Sequence, residues 1–248
     1  MRKAATYSLY LVTAILFHVH VNAQYKYYRP QIWSNFSPVW QISERVSLRS
    51  NVGLNYLLST EMPWNEMTGM ASGNFHFHRF MEADAALYFA RVKQYNTLSS
   101  FEYRPSTGFR IFSNPLKRWL VVNGSRIELR FFRYSDRTTD LTFRFRNRTN
   151  AAVSLTRSSM ADKRNLFLFG YFELFYNFGM VVRERFFNQF KYKLGLGYRL
   201  SDTWRFHLGM IYQDAVDNVV EPAQMPVEID TRYIFEWGIV YVIPMRQE

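Results

Sequence analysis

The feature that most constrains this chain is a period of two. Over residues 45–58, Val46, Leu48, Val52, Leu54, Tyr56 and Leu58 alternate with Arg45, Ser47, Arg49, Asn51, Gly53 and Asn55. Residues 185–200 repeat the pattern, with Phe186, Phe190, Tyr192, Leu194, Leu196, Tyr198 and Leu200 set against Arg185, Gln189, Lys191, Lys193, Gly195, Gly197 and Arg199. An extended strand sends successive side chains to opposite faces, so each segment reads as a strand with one apolar and one polar face. In a soluble sandwich the apolar face would be the core and the charged face would meet water. In a transmembrane barrel the apolar face meets lipid and the charged face lines the interior.

Nine further segments read as strands: 31–42, 66–77, 81–92, 99–112, 119–132, 139–155, 164–176, 204–212 and 231–243. That makes eleven, whereas bacterial single-chain barrels carry an even number. Twelve are therefore expected, with an extra strand over 25–31 interrupted by Pro30, and ten is the alternative. Connections at 43–44, 78–80, 113–117 and 201–203 are short, whereas 59–65, 177–184 and 215–228 are longer and more polar. Such alternation fits short periplasmic turns and longer outer loops.

A sandwich would need one core to cover the apolar face of nearly every strand: Met67, Phe75 and Phe77; Phe101, Tyr103, Phe109 and Ile111; Leu166, Leu168, Phe172 and Leu174; Tyr233, Phe235, Trp237, Ile239 and Tyr241. Lipid covers them without that limit. The fold expected is an all-β, antiparallel, up-and-down transmembrane β-barrel. The alternation itself explains a mean hydropathy of -0.25 in a membrane protein. The 17 Tyr and 23 Phe suit aromatic girdles at the two membrane interfaces.

The beginning of the chain carries an address. Arg2 and Lys3 precede an apolar run over 4–17, and Val21-Asn22-Ala23 offers small residues before Gln24. This reads as a secretory signal peptide, 1–23, leaving 24–248 as one barrel domain. The apolar run is too short for a spanning helix and is closed by His18 and His20. Localisation is expected to be the outer membrane of a Gram-negative bacterium, reached through the periplasm, with outer-membrane lipid and lipopolysaccharide as partners and the chain a monomer. A formal net charge of +11 raises nucleic acid as a partner, but the Arg residues recur along strands instead of clustering, and secretion argues against it. With no Cys, there is no disulfide framework, thiolate metal site or thiol nucleophile.

The segment 188–201, Asn-Gln-Phe-Lys-Tyr-Lys-Leu-Gly-Leu-Gly-Tyr-Arg-Leu-Ser, followed by 204–212, Trp-Arg-Phe-His-Leu-Gly-Met-Ile-Tyr, resembles the penultimate hairpin of an outer-membrane family filed as domain of unknown function 2490 and common in Bacteroidetes. Trp33, the strand around Arg144-Phe145-Arg146-Asn147-Arg148, and Glu173 followed by Phe175 and Tyr176 add to the resemblance. It implies a location and a fold but no reaction.

Chemistry has few places to sit. His76, His78 and His207 fall on the polar face, away from an outer wall where a lipid-modifying hydrolase would need them, so an enzyme is not expected. His76 and His78, with Glu82 and Asp84 across a turn, are a weak candidate for a divalent metal; a hydrogen-bonded cluster is the plainer reading, and no cofactor is expected. The strongest polar signal is an inward set of Arg45, Arg49, Arg104, Arg110, Arg126, Arg130, Arg144, Arg146, Arg148, Arg185, Arg199, Arg205 and Arg232 with Lys191 and Lys193. Glu66, Glu82, Asp84, Glu102, Glu128, Glu173 and Glu236 are the inward acids. Two readings follow: ion pairs that largely fill the lumen of a structural or loop-presenting barrel, or a narrow anion-selective channel.

Overall fold

The computed structural model describes residues 27–28, 30–58, 64–94, 99–114, 116–179, 186–217, 229–230 and 233–244. The expected signal peptide, Arg185, Arg232 and most of the connections expected at 59–65, 177–184 and 215–228 lie outside the described residues.

Eleven strands close into one barrel: β1 (Gln31–Gln41), β2 (Val46–Leu57), β3 (Trp64–His78), β4 (Met81–Gln94), β5 (Ser100–Phe112), β6 (Trp119–Tyr134), β7 (Thr139–Ser154), β8 (Asn165–Gly179), β9 (Phe186–Arg199), β10 (Trp204–Asp217) and β11 (Tyr233–Ile243). Each strand pairs antiparallel with the next. The barrel shuts between β11 and β1, which run parallel in register from Ile234↔Gln31 to Ile243↔Trp40. Closure leaves no edge strand to recruit another chain.

The expectation of twelve or ten strands is therefore corrected to eleven, and that of a wholly antiparallel barrel to a mixed one. The reason is topological. A parallel pair normally needs a long crossover, but the first and last strands of a closed sheet share no connection, so nothing forces an even number. The extra strand expected over 25–31 is instead a two-residue parallel pairing of Tyr27–Tyr28 with Ile229–Asp230, separate from the barrel.

We call the end where β1 finishes the upper end. The connections at 42–45, 79–80, 113–118, 155–164 and 200–203 lie there; that at 135–138 lies at the lower end. The expected split into short turns at one end and long loops at the other breaks at two places. The upper connection after β7 runs for ten residues, folded on itself by Ser154 Oγ donating to the Arg157 carbonyl (2.7 Å) and Asn165 Nδ2 donating to that of Ser159 (3.0 Å). At the lower end, 135–138 is tight, with Arg137 at φ 70° and the Thr138 amide donating to Asp136 Oδ1 at 2.9 Å.

The period of two holds around the wall. Leu48, Val52, Leu54, Phe75, Phe101, Ile127, Phe143, Leu194, Leu196, Leu208 and Trp237 all point outward and are exposed. Where side chains are described, outward charges on the strand faces are confined to Arg91, Lys93 and Arg133, all near the lower end. The outer wall departs from apolarity over β6 and β7, where Asn123 donates to Thr149 (2.8 Å) and Asn147 to Ser125 (2.9 Å), each amide partnered along the wall.

Candidate functional site

The candidate site is the barrel interior. Inward positions recur every second residue, so β5, β6 and β7 each carry their charges in a vertical row, and pairing of neighbouring strands brings the rows together. Glu102 is gripped by both arms of Arg104 (2.8 and 2.7 Å) and by Arg130 Nε at 2.6 Å. Arg104 also approaches Glu128 at 3.7 Å. Glu128 accepts from Arg144 Nε at 2.7 Å and meets Arg146 at 3.4 Å. Arg146 continues to Glu173, which accepts from Arg148 at 2.7 and 2.9 Å. Five guanidiniums and three carboxylates thus form one connected network across β5 to β8.

Burial makes that network consequential. Arg130 is 0% exposed, and Glu128 and Glu173 are 1% exposed. A buried charge is tolerated only when paired and hydrogen-bonded. Aromatic faces stabilise the cations further: Arg104 over Tyr88 at 4.2 Å, Arg130 over Phe132 at 4.6 Å and Arg148 over Tyr171 at 4.2 Å.

Two smaller clusters flank it. Towards the upper end, Asp84 meets Arg126 at 2.5 Å, and Arg110 pairs with Glu82 and donates to Asn74 at 2.6 Å. On β9 to β11, Lys193 meets Glu236 at 2.8 Å and His207 sits 3.3 Å from the same carboxylate. Glycines make this second cluster possible. A Cβ on Gly209 would lie 2.8 Å from Lys193 Cε, and one on Gly238 would fall on the His207 ring.

The four residues weighed as a metal site do not converge. His76 faces Glu82 at 3.1 Å, as their cross-strand register dictates, but Glu82 and Asp84 are held by Arg110 and Arg126. The register shifts between His76 and His78, and His78 stacks edge-on against Phe80, accepting from its amide at 3.3 Å. Among the described residues no group of three His, Cys, Asp or Glu is placed to hold a metal.

Of the inward cations expected from sequence, twelve have their strand positions described: the fifteen less Arg185 and Arg232, which are not described, and Arg45, which lies exposed on the turn before β2. All seven expected acids are on inward positions, and Asp140, on the inward face of β7, adds an eighth, which leaves an excess of four positive charges where side chains are described. That excess is uneven. Arg49 is exposed within the upper mouth, and Arg205 nearby is acted on by Arg199 and Arg49 against Asp202 alone. Arg199 reaches Asp202 at 3.1 Å. Asp202 lies on the turn outside the strands, where a hydrogen bond from Lys163 (2.6 Å), then Arg199, holds its carboxyl below the ordinary range.

Sequence reasoning missed the lower end of the interior. Leu57, Trp64, Phe132 and Tyr134 are each 5% exposed or less, and Val92 packs on the first two. They form an apolar arc inside the barrel from β2 to β6. The signal was present in the parity: Arg126, Glu128 and Arg130 are followed on the same face by Phe132 and Tyr134. Inward amides were missed as well, notably Gln31 and Gln213, which are almost wholly buried.

Residues 30–218 match the family described as Protein of unknown function (DUF2490). The chain belongs to that family. The matched span contains β1 to β10, so in this family member the strand that closes the barrel, β11, lies beyond it. No curated protein and no solved structure matches the chain.

Proposed function

We propose that this DUF2490 chain is an integral outer-membrane β-barrel, secreted by a cleaved signal peptide, whose lumen is closed to free diffusion by its own ion pairs and which serves as a structural or loop-presenting barrel. The observation that carries the reading is an inverted polarity. Apolar and aromatic side chains form the exposed outer wall, whereas Arg130, Glu128 and Glu173 are buried inside it. Water outside and apolar matter inside would favour the reverse arrangement; lipid outside favours this one. Trp40, Trp119 and Trp204 near the upper end, and Tyr56, Phe101, Phe131, Tyr176 and Tyr192 towards the lower, are disposed as interface girdles. The mutually bonded Asn123–Thr149 and Asn147–Ser125 pairs lower the cost of placing amides on a lipid-facing wall.

Closure follows from dimensions. With strands ~4.8 Å apart and tilted ~40°, eleven strands give a backbone radius of about 11 Å. Long Arg side chains reaching inward from β5 to β7 occupy much of that space. The barrel is proposed to have no enzymatic activity, since His76 and His207 are turned inward onto Glu82 and Glu236.

The test is alkaline extraction of membranes from cells making the full chain, followed by comparison of boiled and unboiled gel mobility. Retention in the membrane and a heat-dependent band shift are expected. Recovery in the soluble periplasmic fraction contradicts the reading.

One observation favours a second reading, an anion-selective path: among the described residues Arg49 and Arg205 have no acid within ion-pair distance at the upper mouth, and the described interior has excess positive charge. Reconstitution in a planar bilayer under a salt gradient separates the two. Silence supports closure. Anion preference lost in Arg49→Glu with Arg205→Glu supports the path.

A further inference from the structure

Below its centre the interior holds a cavity of about 370 Å³. One wall carries Arg144, Arg146 and Arg148 with Glu173; the facing wall, from β1 to β3, holds Glu66 amid amides and hydroxyls that include Asn35, Asn51 and Thr68. Arg146 and Arg148 keep 21% and 33% of their side-chain surface exposed, so the cavity is wet.

Three polar groups on its lining are unused. Gln213 is 1% exposed, and its Nε2 is buried with no hydrogen-bond partner. Asn55 is 5% exposed; its Nδ2 donates to Glu66 at 2.7 Å, which leaves Oδ1 as a buried acceptor with nothing donating to it. Lys191 lies directly across the strand pair from Gln213. Its Nζ rests 4.8 Å above the Trp33 ring, and both oxygens of the adjacent Glu173 are already taken by Arg146 and Arg148. The cavity lining carries six cations, Arg104, Arg144, Arg146, Arg148, Lys191 and Lys193, against four carboxylates. A donor and an acceptor without hydrogen-bond partners, and a cation held only over the Trp33 and Phe175 rings, therefore share one positively biased chamber.

We propose that this chamber is a binding site for a small polyhydroxylated organic anion of the sugar-acid class. A carboxylate seated beside the cross-strand neighbours Lys191 and Gln213 satisfies the cation and, once the Gln213 amide turns from its buried place, its orphaned N–H. A hydroxyl donates to Asn55 Oδ1. Further hydroxyls, each both donor and acceptor, match the amides, hydroxyls and Glu66 carboxylate of the wall from β1 to β3. An inorganic anion would satisfy the first pair and leave Asn55 and the wall from β1 to β3 to water; a neutral sugar would bring Lys191 no counter-charge. Binding at this site goes beyond the proposed barrel role and depends on the folded barrel, not on where it resides.

The test is calorimetric titration of the full mature chain, folded in detergent and showing the heat-dependent band shift, with sodium glucuronate at neutral pH and constant ionic strength. Glucose and inorganic phosphate serve as comparison probes. Saturable glucuronate binding is expected, with both comparison probes at least about tenfold weaker. Lys191→Gln and Gln213→Leu, each checked for the band shift, are expected to weaken glucuronate binding by about tenfold or more. Arg49→Gln, distant from the chamber, should leave it unchanged. No saturable signal in folded protein overturns the inference and leaves water as the occupant. Equal affinity for glucose, equal affinity for phosphate, or indifference to both chamber substitutions overturns it as well. A chain that never shows the band shift speaks instead against the barrel reading.

Discussion

The two ends of the barrel interior are built on different principles. At the lower end Leu57, Trp64, Phe132 and Tyr134 pack inside the wall, and the fully buried Ile211, Ile234 and Gln31 fill the opposite side. At the upper end Arg49 is exposed, Arg199 and Arg205 are half-buried, and among the described residues the only acid close to that pair is the exposed Asp202. Between them lies the Arg–Glu network. The contrast teaches that interior charge by itself does not describe a lumen. The same parity that makes a row of guanidiniums in mid-barrel ends in aromatic packing below and in solvated cations above.

The largest expected effect lies at the junction of the network. Glu128→Ala leaves Arg144 without its carboxylate and strips a contact from Arg104 and Arg146, so unfolding in vesicles by urea should show a loss of about 3 to 5 kcal/mol. A loss below about 1 kcal/mol would mean that water solvates the network and that mid-barrel resembles the upper mouth.

At the lower end, Phe132→Ala removes the ring that stacks on Tyr134 and covers Arg130. The expected loss is about 3 kcal/mol, from cavity formation and an exposed guanidinium. Urea unfolding of this variant beside Glu128→Ala asks whether apolar packing closes the lower end. If it does, Phe132→Ala also makes the interior more accessible to a water-soluble reagent at a Cys placed at Gln213.

At the upper end, Arg49→Gln should change stability by no more than about 0.5 kcal/mol, because the side chain is exposed and the like charges of Arg110 and Arg126 oppose the attraction of Glu82 and Asp84. A loss comparable to that of Phe132→Ala would erase the distinction between the ends.

The smallest effect concerns the upper turns. Asp202 has a lowered carboxyl pKa in the folded chain, so its contact with Lys163 contributes above the ordinary carboxylate range and is lost as pH falls through the lowered value. Both side chains are well exposed, and little stability depends on the pair. Lys163→Ala should return the Asp202 titration, followed by NMR, towards its ordinary range without a measurable change in unfolding midpoint.

Strand faces were largely legible in the sequence, because alternation is local: the eleven segments read from it correspond one to one with the barrel strands, with ends displaced by a few residues. Strand number was misjudged only by imposing evenness on a correct count. Which acid meets which Arg was not legible, since that depends on inter-strand register. Glu173 lies opposite Arg148 on β7 and Lys191 on β9, and nothing within one strand indicates either. The lower arc was hidden for another reason: an inward Phe132 near a strand end has the composition of an interface girdle, and only parity counted through Arg130 separates the two. Gln213 carries no charge and no motif, so its place beside Lys191 emerged only with the fold.

The central claim is that the apolar wall faces lipid and the charged rows face inward. It is tested most directly by single Cys substitutions along β9, in a chain that has no Cys of its own, each carrying a fluorophore quenched by spin-labelled lipid. At positions 190, 192, 194, 196 and 198 strong quenching is predicted, and at 191, 193 and 199 little, a period of two. Quenching that ignores parity, or is absent throughout, contradicts the account.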